Sequence, residues 1–130
     1  MHLGYLILYV PDVEAAVAFY EKAFGLKRRF VAGVDYGEVE TGATALAFAA
    51  EHMAPNNGVT IRRSRAADGD APAVEVAFVT DDPAGAFEKA VAAGAAAVKP
   101  AAQKPWGQTV AYVRDLNGFL VELCTPVAPQ

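Results

Sequence analysis

Histidine and cysteine are nearly absent from this chain of 130 residues, which holds two histidines, His2 and His52, and one cysteine, Cys124. One cysteine excludes an internal disulfide framework and fits a reducing compartment. Cys124 lies in the apolar run FLVELC, where a buried, inert thiol is the expected state. Positive charge is also scarce. Eleven Lys and Arg face fifteen Asp and Glu, for a net charge of −4, which argues against a nucleic-acid surface because phosphate binding needs a basic stripe. The one basic run, Arg62, Arg63 and Arg65, reads as a solvated turn beside Asp68 and Asp70. No apolar stretch approaches the ~20 residues of a membrane span. Met1-His2-Leu3 lacks the basic start of a secretory leader, so a cytoplasmic protein is expected.

What is plentiful is apolar residue, 54% against 20% charged, a globular composition for a single domain over residues 1–130. The chain also says nearly the same thing twice. LILYVPDVEAAVAFYEKAFGLKRRF is echoed by VEVAFVTDDPAGAFEKAVAAGAAAVKP. Each copy reads as an apolar strand, an acidic cap (Asp12, Asp82), an amphipathic helix, a stopping glycine (Gly25, Gly94) and a further strand. Val13, Ala16, Val17, Tyr20 and Phe24 recur at helical spacing in the first copy, and Phe87, Ala90 and Val91 in the second.

Further strands are expected at 27–32, 36–41 and 44–49, then at 74–79, 96–99, 108–114 and 119–124. The last two are joined by the turn Asp115-Leu116-Asn117-Gly118. Modules 3–51 and 73–126 are separated by a linker, 52–72, whose Asn56-Asn57-Gly58 and Asp68-Gly69 are turn signals around a short strand at 59–63. The order βαβββ, twice, predicts an α+β fold in which two modules form a curved mixed sheet around a cavity.

VPDVEAAVAFYEKAFGL resembles the first helix region of the vicinal oxygen chelate superfamily, which includes glyoxalase I, extradiol dioxygenases and the bleomycin resistance proteins. KPWGQTVAYVRDLNGFLVE resembles its C-terminal hairpin. The likeness spans residues 3–125 and is specific for fold rather than reaction. In metal-using members four strand positions hold histidine or glutamate. Carried over one at a time, they fall on Tyr5, seven residues before Asp12; on Ala47 in TALAF; on Glu75, seven before Asp82; and on Glu122, four after Gly118. A phenol, a methyl group and two carboxylates replace the imidazoles, and neither histidine matches a ligand position. Histidine-based metal catalysis is therefore not expected, nor is a cofactor. The alternative is a divalent Mg or Mn ion on Glu75, Glu122 and Tyr5, serving a lyase, isomerase or dioxygenase.

Strand parity places Tyr5 and Tyr9 on one face with Leu3 and Ile7, Glu75 with Ala77 and Val79, and Glu122 with Leu120 and Cys124. The expected site is an acidic hollow walled by Tyr5, Tyr9 and small alanines, suited to a flat cationic or donor-rich molecule. Trp106, in a Pro-Trp-Gly element that resembles the bleomycin resistance proteins, is placed at its rim. The expected partner is a small molecule, with neither nucleic acid nor membrane, and the resemblance implies a homodimer.

Overall fold

The structure is a computed structural model and describes residues 1–66 and 68–128. It divides into two compact units, Met1–Ser64 and the chain from Arg65 onward. The first contains β1 (Tyr5–Val10), α1 (Val13–Phe24), β2 (Arg28–Ala32), β3 (Tyr36–Val39), β4 (Ala45–Ala50) and a single turn of helix, α2 (Met53–Asn56). The second contains β5 (Glu75–Val79), α3 (Pro83–Ala92), β6 (Ala96–Gln103), β7 (Thr109–Arg114) and β8 (Leu120–Cys124). The sheets have the same form: order β1-β4-β3-β2 in one and β5-β8-β7-β6 in the other, with the first strand parallel to the last and the remaining pairs antiparallel. This is the duplicated α+β architecture that the sequence implies.

Both helices start as their acidic residues dictate. Asp12 and Asp82 accept hydrogen bonds from the backbone N–H of Ala15 and Gly85, each at 3.0 Å, satisfying donors that have no partner within the helix. Gly25, at φ 68°, ends α1 in the left-handed region. The apolar stripe of α1 buries Val13, Ala16, Val17, Phe19, Tyr20 and Ala23 against β2, β3 and β4, whereas α3 buries only Pro83 and Ala90. Tyr20 and Phe48 are fully buried with ring centroids 4.9 Å apart, and each contributes about 1.5–3 kcal/mol by leaving water.

Two expectations need correction. Residues 59–63 form no strand, because nothing pairs with them, and the turn signals at Asn56-Asn57-Gly58 instead close the single turn α2. β6 runs to Gln103 rather than stopping near 99. Pro100 looks like a strand breaker, but β6 is an edge strand and absorbs it with register shifts between Ala97, Lys99 and Ala102.

The RDLNG segment is a structural knot. Asp115 Oδ1 accepts the backbone N–H of Asn117 and Phe119 at 2.8 and 2.9 Å, shaping the turn between β7 and β8. The Arg114 guanidinium donates to the carbonyls of Gly118, Gly69 and Asp68 at 2.8, 2.7 and 3.1 Å, holding the entering strap against the turn. The basic run just before the strap is exposed at Arg62 and Arg63, and Arg63 lies 3.9 Å from Glu51.

Candidate functional site

Each sheet has one face covered by its helix and one face turned away from it. In the first unit the second face carries Tyr5, Ile7 and Tyr9 from β1 opposite Ala45, Ala47 and Ala49 from β4, a row of methyl groups between aromatic walls. Tyr5 is 59% exposed. The same face carries Glu38 and Tyr36 from β3. Glu38 is 5% exposed and accepts from the Tyr36 hydroxyl at 2.7 Å and from Arg29 at 3.1 Å, so its charge is fully paired. Burial and the bond to Glu38 raise the Tyr36 phenol well above its ordinary pKa. His52 is an exposed loop residue 2.8 Å from Asp35.

The second unit holds the chemistry. Glu75 is the first residue of the edge strand β5, and Glu122 is the middle residue of β8, whose neighbour across the ladder is Ala77. The two glutamates are therefore diagonal neighbours on one face. Desolvation, then the neighbouring Glu122 charge, raise the pKa of Glu75. From the other side, Tyr112 of β7 lies directly opposite Glu122 and donates its hydroxyl to the carboxylate at 3.0 Å. Desolvation, the bond to Glu122 and its charge push the Tyr112 phenol up to about 12. Cys124 is buried and free, and desolvation with Glu122 as neighbour pushes its thiol up to about 11, so it is a donor and not a nucleophile. Glu122 thus accepts from the Tyr112 phenol and has the Glu75 carboxyl group and the Cys124 thiol as neighbours, the thiol donating to the Phe78 carbonyl at 3.7 Å.

Sequence reasoning put both glutamates on this face but overstated the burial of Glu75, which is exposed. Parity tells which way a side chain points; it does not tell that β5 is an edge strand and Glu75 its end. Tyr112 was missed, because counting outward from the Asp115–Gly118 turn pairs 112 with 121, whereas the loop holds one further residue and the register pairs 112 with 122. Tyr5 and Tyr9 sit on the helix-free face of the first unit, and the Trp106 ring, in the loop between β6 and β7, is 54% exposed. The four positions carried over by family likeness occupy matching places in their sheets. Tyr5 and Ala47 are the first residue of β1 and the third of β4, as Glu75 and Glu122 are of β5 and β8. Among the described residues, no group of three or more His, Cys, Asp or Glu side chains is placed to hold a metal ion. No helix is long and apolar enough to cross a membrane.

Residues 2–123 match the profile of the Glyoxalase/Bleomycin resistance protein/Dioxygenase superfamily. Among solved structures, the chain superimposes on a glyoxalase-related enzyme from Fulvimarina pelagi with a TM-score of 0.81 at 22% identity, over 97% of this chain and 88% of that one. A glyoxalase/bleomycin resistance protein/dioxygenase family enzyme from Burkholderia phytofirmans PsJN gives 0.80 at 18% identity, over 98% and 100%. TioX from Micromonospora sp. ML1 gives 0.69 at 24% identity, over 96% and 98%. A search of curated proteins finds no match. At these identities the superpositions speak for the fold alone.

Proposed function

The chain belongs to the glyoxalase/bleomycin resistance protein/dioxygenase superfamily, and from that premise we propose that it binds a small organic molecule, cationic or rich in hydrogen-bond donors, on the acidic face of its second unit. The observation that carries the reading is the Glu75–Glu122 pair with Tyr112 beside it. Two neighbouring carboxyl groups, with the pKa of Glu75 raised, gather negative charge on this face. An arriving cation or donor bonds to Glu122, while Tyr112 fixes that side chain from the far side. Superfamily members of this size commonly pair, and the proposal takes the protein as a cytoplasmic homodimer.

The donor set does not fit a resident divalent cation. Magnesium and manganese need about six oxygen ligands, several of them charged. The second unit offers two carboxyl groups, no third acidic or imidazole ligand among the described residues, and a phenol that keeps its proton. No step is therefore routed through a metal.

Calorimetry with 9-aminoacridine, a planar aromatic cation, tests the proposal. Wild type binds at micromolar affinity, and Glu122→Gln weakens binding about tenfold with the fold intact by circular dichroism. Equal affinity in the two proteins rejects the site. A rise in melting temperature on adding Mn²⁺, lost in Glu122→Gln, supports the metal-dependent alternative instead.

A further inference from the structure

Trp106 is the sole tryptophan of the chain, and its treatment is unusual. Half of its surface lies in water, yet its one polar atom is tied down: the indole N–H donates to Gln108 Oε1 at 2.8 Å. Gln108 is 7% exposed, and its Nε2 donates in turn to the Thr125 carbonyl at 2.9 Å. Thr125 is itself fixed to Thr109 by two further bonds, Thr125 N–H to the Thr109 carbonyl and Thr109 N–H to the Thr125 hydroxyl, both at 3.0 Å. The loop backbone is closed beneath the ring by Lys104 N–H to Gln108 O at 2.7 Å and Gly107 N–H to Lys104 O at 2.9 Å.

Only one orientation of the Gln108 amide satisfies both partners. Turning it over sets N–H against N–H at the indole and oxygen against oxygen at Thr125. A tryptophan that merely covered a sheet end would bury its ring and leave its N–H to water. Here the fold buries a polar amide, which is costly unless both its ends are bonded, and leaves about half of the tryptophan in water. Gln108 lies on β7's approach with the parity of Tyr112, and so on the face that carries the carboxyl pair. Glu122 is three residues before Thr125 along the same strand direction, roughly 10 Å.

We infer that Gln108 is a positioning residue that holds the Trp106 ring as a preorganised stacking face for a planar ligand. This rests on the binding reading above and adds to it the residue that fixes the aromatic contact, Gln108. Fixing the ring in the free protein removes the ordering cost at binding, which is how a single exposed aromatic side chain becomes an effective contact.

The test uses the fluorescence of the single tryptophan and two variants. Gln108→Leu, which loses both bonds, raises the acrylamide quenching constant of Trp106 about twofold and weakens 9-aminoacridine binding about three- to tenfold. Gln108→Glu separates positioning from packing. A neutral carboxylic acid reproduces both the acceptor and the donor of the amide, whereas the carboxylate sets oxygen against the Thr125 carbonyl. Quenching in Gln108→Glu therefore returns toward the wild-type value near about pH 4 and matches Gln108→Leu near about pH 8, while the Leu variant shows no such recovery. Wild type measured over the same range subtracts the titration of other groups, including Glu75. Should Gln108→Leu fail to fold, the Glu variant alone decides. Wild-type quenching and affinity in Gln108→Leu, or quenching in Gln108→Glu that ignores pH, overturns the inference. Failure of wild type to bind 9-aminoacridine overturns the stacking role together with the binding proposal, whereas tight binding with a freely quenched ring in Gln108→Leu overturns this inference alone.

Discussion

Gly118→Ala is the substitution whose cost the structure fixes most directly. Gly118 has φ 87°, in the left-handed region, so any side chain there costs about 1–2 kcal/mol in backbone strain. A methyl group would also fall within the Arg65 carbonyl, 2.9 Å from its carbon, and 2.9 Å from Arg114 Nη2. Neither neighbour is the free end of a flexible chain, because Arg114 is committed to Gly118, Gly69 and Asp68. The strap must lift, and losing one charged hydrogen bond costs a further 1.5–3 kcal/mol or so. The expected total is about 2.5–5 kcal/mol. Gly107→Ala is the control in the same unit: its φ is 97° and nothing lies within 4 Å of the added methyl, leaving about 1–2 kcal/mol of strain alone. Urea titration followed by far-ultraviolet circular dichroism compares the two midpoints at constant slope. In Gly118→Ala, trypsin also cuts faster at Arg62, Arg63 and Arg65, because the strap beyond them is released. Equal losses in the two variants, within about 0.5 kcal/mol, refute the reasoning that Arg114 and the strap form one clamp.

Two further outcomes are expected. The pKa of Glu75 is raised in the folded protein, so its contribution to stability is present below the unfolded carboxyl value and is lost as pH rises through the folded one. Glu75→Gln keeps a donor facing Glu122 without ionising; it should melt with wild type near about pH 4 and higher than wild type at neutral pH. After allowance for solvent screening of this exposed residue, the gain is about 0.5 kcal/mol, and a variant that melts lower at neutral pH contradicts the pairing. Gly85→Ala ordinarily gains about 1 kcal/mol of helix propensity, but here the methyl meets the Asp82 carboxylate that caps α3. The substitution should therefore destabilise wild type by about 1 kcal/mol and stabilise the Asp82→Ala background, a reversal of sign that thermal melts read directly.

Features governed by local chemistry were legible in the sequence. Asp12 and Asp82 cap because a carboxylate beside free N–H groups needs no distant partner, and the helices follow from their spacing. Parity on β1, β5 and β8 sorted the helix-facing residues from those on the other face, since alternation is a property of the strand itself. What failed was whatever depended on a neighbour. The segment 59–63 has a strand's composition and no edge to pair with, while Pro100 interrupts β6 only if that strand is central, which it is not. Sequence found the carboxylates of the candidate site and put Cys124 on the face of Glu122, but not the Tyr112 hydroxyl, which reaches Glu122 through the register of β7 with β8. The Trp106–Gln108 bond has no periodic signature at all. A buried glutamine two residues from a tryptophan becomes meaningful only once its other end is seen on Thr125.

The unequal loading of the two helices bears on how the acidic face behaves. α1 locks six side chains into its sheet and adds an aromatic stack, whereas α3 seats only Pro83 and Ala90, so opening the second unit exposes less hydrocarbon and takes less work. The half that bears Glu75, Tyr112 and Glu122 is thus the more yielding one. If this half takes up a small molecule as proposed, small breathing motions would let it reshape around guests of differing outline, and the breadth of molecules accepted would follow from how lightly that helix is held down.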